Sequence, residues 1–361
     1  MNMNNAESGG RLVSLDVLRG FDLFLLLFFQ PVLIAFGSVV DWPWLDSVLY
    51  NFEHEDWIGF RLWDLVMPLF LFMVGTSMPF SFARFDRTFD RIRLWKKVMR
   101  RFVILFVAGM LVQGNLLAFD PGCLHIYANT LQAIACGYLL AAAILLNCTV
   151  RWQLVYTLAL LLAYWMPMTF CGDFTREGSF AFWVDEMILG RFHGDPDYTW
   201  IWSSLTFGVT VMLGAFAGQI IRNGDSDRVR TAVVLAVIGC ILVGLGLLWG
   251  LQMPVIKKLW TCSMTLLAGG YCFMLMALFY FWIDCKGHVR GLGWLKIYGM
   301  NAITAYMIGE VIDFRSIVKS LSFGLEPFLG DFYQVWLTFG NFLILFLILR
   351  YMYRERIFFK I

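Results

Sequence analysis

The stretch 62–83, LWDLVMPLFLFMVGTSMPFSFA, and the stretch that follows it, 84–101, RFDRTFDRIRLWKKVMRR, decide the fold. The first carries Asp64 as its one charge and is long enough, as a helix, to cross a hydrocarbon core about 30 Å thick. The second sets Arg84, Arg87, Arg91, Arg93, Lys96, Lys97, Arg100 and Arg101 against Asp86 and Asp90. Lysine and arginine flanking a span are retained in the cytoplasm, so this basic stretch reads as a cytoplasmic loop.

Working outward, the same criterion marks ten apolar runs: 16–37, 62–83, 102–118, 128–147, 153–170, 200–221, 232–251, 260–283, 295–313 and 333–353. Lipid offers irregular backbone no hydrogen-bond partner, so each run is expected to be helical. Alternation from the basic loop leaves Arg61, Arg176, Arg191, Lys257, Lys258, Arg315 and Lys319 outside and the rest of the 28 basic residues inside. The expected fold is all-α: a polytopic membrane helix bundle of about ten transmembrane helices, both termini cytoplasmic. It forms one domain over 1–361, with a short polar tail (1–15), the basic loop (84–101) and two longer outer loops (39–61 and 171–199).

Composition agrees. At 60% hydrophobic and 15% charged residues, with a mean hydropathy of +0.71, the chain has more apolar surface than one soluble core hides. A net charge of +2, with the basic residues confined to short connections, excludes a nucleic-acid partner. The polar start lacks a cleavage site after the first apolar run, so that run is expected to persist as a span. The eight cysteines show no metal-ligand spacing. Cys123 and Cys171 fall in loops on one side and can pair, but buried free thiols are the commoner case. No two histidines stand at ligand spacing, and no metal is expected.

Ionisable groups within spans cost about 2.5 to 3.5 kcal/mol each on insertion scales, so those retained are candidates for function. They are Asp16, Arg19 and Asp22 in the first span, Asp64 in the second, and Glu310 with Asp313 in the ninth. Asp16 and Arg19, three apart, also suit a local ion pair. The sharpest cluster is FEHEDW, in which His54 sits among Glu53, Glu55 and Asp56 just before the second span. A histidine oriented by a carboxylate is apparatus for taking a proton from an amine or hydroxyl; a solvated acidic loop with an incidental histidine is the alternative. His125, His193 and His288 have no comparable neighbours. No Walker loop, GxGxxG, GxSxG or HExxH is present.

These residues together resemble the heparan-alpha-glucosaminide N-acetyltransferase family, the lysosomal enzyme and its bacterial relatives. The match runs through RLVSLDVLRGFDLFLLLF, HEDWIGFRLWDLVMPLFLFMVGTS, NTLQAIACGYLLAA, VMLGAFAG, KKLWTCSMTLLAGG, YGMNAITAYMIGEV and YRERIFFKI, in order along most of the chain. The resemblance implies transfer of acetyl from cytosolic acetyl-CoA to a glucosamine amine across the membrane, with His54 at the place of the essential histidine. Trp57, Gly59 and the 64–68 DLVMP run follow it.

Asp16, Arg19, Gly20, Arg101, Lys257, Trp260, Asn301 and Glu310 also fall on family motifs. The resemblance thus implies His54, Asp64 and Asn301 as catalytic candidates, with Asn301 steadying an oxyanion. Arg101, Lys97 and Arg100 are donor-binding candidates; ordinary positive-inside bias equally explains the two that match no motif. Lys257, Trp260, Glu310 and Gln30 are acceptor-binding candidates. The chain departs from the family at Gln30, where relatives commonly carry Asn, and at Ala133, where they read LQR.

The implied partners are acetyl-CoA, an amino sugar or glycosaminoglycan-like acceptor, the lipid bilayer and a second copy in a homodimer. Lack of the lysosomal enzyme's long soluble amino-terminal region points to a bacterial inner membrane. Direct attack by the amine and an acetyl-histidine intermediate both remain open, as do two other activities: polysaccharide O-acetylation and proton-coupled transport of an anionic solute through Asp64 and Glu310.

Overall fold

A computed structural model describes residues 12–86, 91–194, 197–224 and 227–358. Among these the chain is helical and contains no strand. The helices are α1 Val13–Phe24, α2 Gln30–Gly37, α3 Pro43–Asn51, α4 Val66–Asp86, α5 Arg91–Val112, α6 Thr130–Asn147, α7 Val150–Phe170 and α8 Phe180–Leu189. They continue as α9 Ser204–Asn223, α10 Arg228–Gly250, α11 Cys262–Phe279, α12 Gly293–Met300, α13 Ala302–Val311, α14 Arg315–Ser322, α15 Glu326–Leu329 and α16 Tyr333–Arg354.

Eight helical runs are long and apolar enough to span a bilayer: Val13–Gly37, Leu62–Ala83, Thr130–Asn147, Val150–Phe170, Ser204–Asn223, Arg228–Gly250, Cys262–Cys285 and Arg315–Arg354. The protein is an integral, multi-pass helical bundle. The two other expected spans are present in altered form. The third begins not at 102 but at Arg91, so that its basic residues ride on the first turns of α5. Lysine and arginine are good helix formers, and nothing in this stretch breaks the helix. The expected loop 84–101 is therefore mostly helix, since α4 runs to Asp86 and only 87–90 lie outside the described residues. The ninth span is broken into α12 and α13 at Asn301, whose φ of −119° and ψ of 39° are not helical. Non-helical backbone at this depth is tolerated where it is enclosed by protein or lines a cavity, as Met300 and Ala302 do here.

The 39–61 and 171–199 connections are not plain loops either, since they carry α3 and α8. The core is the crossing of α4 with α9, flanked by α6 and α11. Backbones approach so closely there that a Cβ on Gly75 would strike the Val211 carbonyl, and one on Gly214 the Phe72 carbonyl. Small residues permit this packing where the hydrophobic effect gives no drive between helices. Val233, Val237, Ile241 and Leu248 on α10 instead face outward, as lipid contact requires. All eight cysteines are free, Cys123 and Cys171 among them.

Candidate functional site

The site is assembled from two connections far apart in sequence. The chain leaves α3 at Phe52 and reaches Arg61 through a series of bends; there Gly59, at φ 141°, donates its N–H to the Val255 carbonyl at 2.9 Å. This bond seats the FEHEDW segment against the 251–260 connection. Trp260 anchors that connection: its buried ring meets Phe207 edge-on and its indole N–H donates to Thr210 Oγ1 at 3.1 Å. It holds a left-handed φ of 54° that only a well-packed side chain sustains.

Asp64 is fully buried in the turn that opens the second span. Its Oδ2 accepts the backbone N–H of Arg61 at 2.9 Å and of Glu55 at 3.3 Å, an N-terminal capping position that favours a carboxylate. Its Oδ1 lies 2.9 Å from Nδ1 of His54. Lys257, buried, brings its Nζ to 2.9 Å from the same Nδ1, 3.3 Å from Nε2 and 3.5 Å from Asp64 Oδ1. Although 45% of the His54 side chain is exposed, partial desolvation, reinforced by the Lys257 ammonium and opposed by the hydrogen bond to Asp64, lowers its pKa. Burial likewise brings Lys257 down to about 8, with Asp64 opposing.

A second layer braces the first. Arg61 grips Glu55 with two nitrogens, at 2.9 and 3.2 Å, and stacks on the Tyr50 ring. Asp197 bridges Lys258 at 2.7 Å and Arg176 at 3.1 Å, and Arg176 continues to Asp56 at 2.9 Å. Lys258, first by its hydrogen bond, holds the Asp197 carboxyl below its usual range. Trp57 donates its indole N–H to the Phe174 carbonyl, bringing in the 171–179 connection.

His54 and Lys257 open into a cavity of about 440 Å³, which Glu310, Gln113, His125 and Trp200 also line. Gln113 Nε2 is 3.4 Å from Glu310 Oε2. A second cavity of about 280 Å³ lies toward the basic end of the bundle and is lined by Arg19, Arg101 and Ser77. The two share Phe70, Thr130 and Tyr306 as common wall. The Arg101 guanidinium sits 4.6 Å over the Tyr138 ring, and its buried Nε has no hydrogen-bond partner among the described residues. Arg19 is 3.7 Å from Asp16.

The structure therefore brings His54, Asp64, Lys257 and Glu310 to one end of this paired space and Arg101 to the other. The remaining candidates fall elsewhere. Asn301 donates its amide to the Ile357 carbonyl at 3.2 Å, beside the last turn of the chain, and does not line the His54 cavity. Trp260 packs in the core as described. Gln30 donates to the Phe52 carbonyl at 3.0 Å, supporting the start of the His54 segment from behind. Lys97 reaches Ser81 Oγ at 3.3 Å, and Arg100 is exposed; neither lines either cavity.

His125 was given no role by its sequence neighbours, yet it lines the His54 cavity with its Nδ1 3.1 Å from the His193 carbonyl. Asp185 was also passed over; fully buried, it accepts the backbone N–H groups of Trp200 and Ile201 at 2.6 and 2.9 Å. The partner of His125 lies 68 positions away and those of Asp185 lie 15 and 16 away, so no local motif marks either residue. Among the described residues no group of three or more His, Cys, Asp or Glu is placed to hold a metal ion.

Comparison with known proteins adds the family. The chain is 24% identical to mouse and 25% identical to human heparan-alpha-glucosaminide N-acetyltransferase, over 85% and 84% of its own length. It spans about half the length of these curated relatives, 54% and 53% respectively. Residues 11–248 match the family model described as heparan-alpha-glucosaminide N-acetyltransferase, catalytic, and the chain belongs to that acyltransferase family.

Proposed function

We propose that the protein transfers acetyl from acetyl-CoA, entering at the basic, cytoplasmic end, to the amine of a glucosamine-type sugar held in the His54 cavity at the outer face. The observation that carries this reading is the pair of abutting cavities. One presents arginines at the basic end and the other a histidine, carboxylate and ammonium, and Phe70, Thr130 and Tyr306 line both. A thioester on a long flexible arm fits that path, with Arg101 and Arg19 drawing the anionic part of CoA.

In the reaction the amine nitrogen attacks the thioester carbonyl, the C–N bond forms and the C–S bond breaks. His54 Nε2 takes the proton lost by the amine, and the departing thiolate of CoA is protonated in turn. Asp64, accepting from Nδ1–H, fixes the tautomer that leaves Nε2 open. The Lys257 ammonium is the nearest cation to His54 and takes the oxyanion role; Asn301, tied to Ile357, is not at this end. Glu310 and Gln113 supply hydrogen bonds to sugar hydroxyls.

The test is transfer of radiolabelled acetyl from acetyl-CoA by purified protein in detergent, with glucosamine or N-acetylglucosamine as acceptor, beside His54→Ala. Label on glucosamine alone, lost in His54→Ala, supports the reading. Label on N-acetylglucosamine moves the nucleophile from amine to hydroxyl, and absence of both transfer and acetyl-CoA binding discards the reading.

A further inference from the structure

Two further concavities at the basic end are independent of the cavities above. The first, about 490 Å³, lies where α4, α5, α6, α7 and α9 end or begin, and is lined by Arg91, Arg222, Trp95, Gln153 and Gln219. The second, about 580 Å³, is an apolar groove lined by Leu154, Leu158, Leu161 of α7, Leu213 and Phe216 of α9, and Leu242 of α10. They share Val150, Gln219 and Asn223 and so adjoin, forming a depression that is polar at one end and apolar along the rest.

Its length is informative. Val150 to Leu161 on α7, and Asn223 back to Leu213 on α9, each advance about 15 Å at 1.5 Å per residue. Half of a hydrocarbon core about 30 Å thick is about 15 Å. The groove is therefore about as long as one leaflet is deep, the reach of one acyl chain. Leu154 and Leu158 are more than half exposed, so the groove is open sideways to lipid.

The polar end is built to receive an anion. Among the described residues the cavity lining contains two arginines and no acidic residue. Arg91 spends Nη2 on the Leu146 carbonyl at 3.0 Å and Asn147 Oδ1 at 2.9 Å, and Arg222 spends Nη1 on the Pro79 carbonyl at 3.1 Å. Each guanidinium has five N–H donors, so these bonds orient it without exhausting it. Gln219 Nε2 to Gln153 Oε1, at 2.8 Å, forms the floor. Positive-inside bias explains arginines at this end of a span. It does not explain two of them converging on a pocket that adjoins a groove about as long as one leaflet is deep.

We propose that this depression is a binding site for one anionic phospholipid of the leaflet at the basic end, its phosphate held by Arg91 and Arg222 and one acyl chain laid along the α7–α9–α10 groove.

The test compares wild type, Arg91→Gln/Arg222→Gln and Leu158→Trp, the last filling the groove without altering charge. Each is delipidated in detergent and titrated with palmitoyl-oleoyl phosphatidylglycerol or phosphatidylcholine, with bound lipid counted by native mass spectrometry and melting temperature followed in parallel. Wild type is expected to retain one phosphatidylglycerol at least tenfold more tightly than phosphatidylcholine, and each variant to lose that preference or that retention. Equal binding of the two lipids by wild type, or undiminished phosphatidylglycerol binding by both variants, overturns the proposal. So does an arginine variant whose lipid binding is intact but whose acetyl-CoA affinity falls, since the arginines would then belong to the donor site. If the arginine variant does not fold, Leu158→Trp decides alone.

Discussion

Lys257 reaches across 203 positions of sequence to set its Nζ 2.9 Å from Nδ1 of His54, the ring nitrogen that also faces Asp64 at 2.9 Å. One ring nitrogen cannot accept from an ammonium and donate to a carboxylate at once. While Lys257 donates to Nδ1, the neutral ring carries its proton on Nε2 and is no base there. Once Lys257 turns to another acceptor, Nδ1–H pairs with Asp64 and Nε2 is open. On the proposed mechanism an incoming thioester carbonyl is such an acceptor, which would couple donor arrival to base activation.

The first prediction is a bell-shaped pH profile for kcat/KM. His54 must be neutral, and its pKa is depressed, so activity falls only when the pH drops below the ordinary histidine value of about 6.5. Lys257 must be charged, so activity also falls as pH rises through about 8. Lys257→Gln should lose the alkaline limb and keep the acid one. A variant with the full bell assigns the alkaline limb to another group.

Asp64→Asn should lower kcat by about 10² to 10⁴, the range over which general-base catalysis operates. The amide can present its NH₂ to Nδ1 and select the inactive tautomer. Donor affinity, measured by titration of acetyl-CoA, should stay within a few-fold of wild type. A loss of donor affinity matching the loss in kcat places Asp64 in binding instead.

Arg101→Ala should raise KM for acetyl-CoA about 10- to 100-fold, from loss of a charge-assisted contact of about 1.5–3 kcal/mol. Its kcat at saturating donor should change little, because Arg101 lines only the cavity remote from His54. Steady-state kinetics at varied donor separates the two constants.

Gly75→Val should destabilise the bundle by more than the 1–3 kcal/mol typical of overpacking, because the added carbons meet backbone of α9 rather than a side chain that can move. Thermal unfolding in detergent, followed by size-exclusion profile, reads the effect. Gly244→Val, where a Cβ meets nothing within 4 Å, is the matched control and should be near neutral.

Much of the architecture was legible because the bilayer imposes one rule on every span, and the run 62–83 obeys it on its face. The rule reads hydropathy and so failed where helix outlasts hydropathy, as at Arg91, and where one apolar run holds two helices, as around Asn301. The candidate site divides the same way. His54 was legible as a base, but its orienting carboxylate was expected among Glu53, Glu55 and Asp56 beside it; the structure gives that place to Asp64, ten residues on, which the residues alone marked only as a charge within a span. Lys257 stood out only through resemblance, since nothing beside it in sequence points to His54. His125 and Asp185 had no signal, because the partner of the first comes from another connection and those of the second lie 15 and 16 residues on, beyond any local motif. Asn301 and Trp260 show the converse: positions on family motifs whose side chains here serve a chain end and a core.

The Gly59–Val255 hydrogen bond has a consequence for biogenesis. It closes a loop of about 200 residues, for which the chain-entropy cost is about 5 kcal/mol, far beyond what one hydrogen bond returns. That cost must be met by the intervening helices docking first, so the two halves of the site meet only after those spans have entered the bilayer. A nascent chain that holds Gly59 but not yet the 251–260 connection has His54 without the ammonium of Lys257 beside it, so the cluster is complete only when that connection has been made and docked.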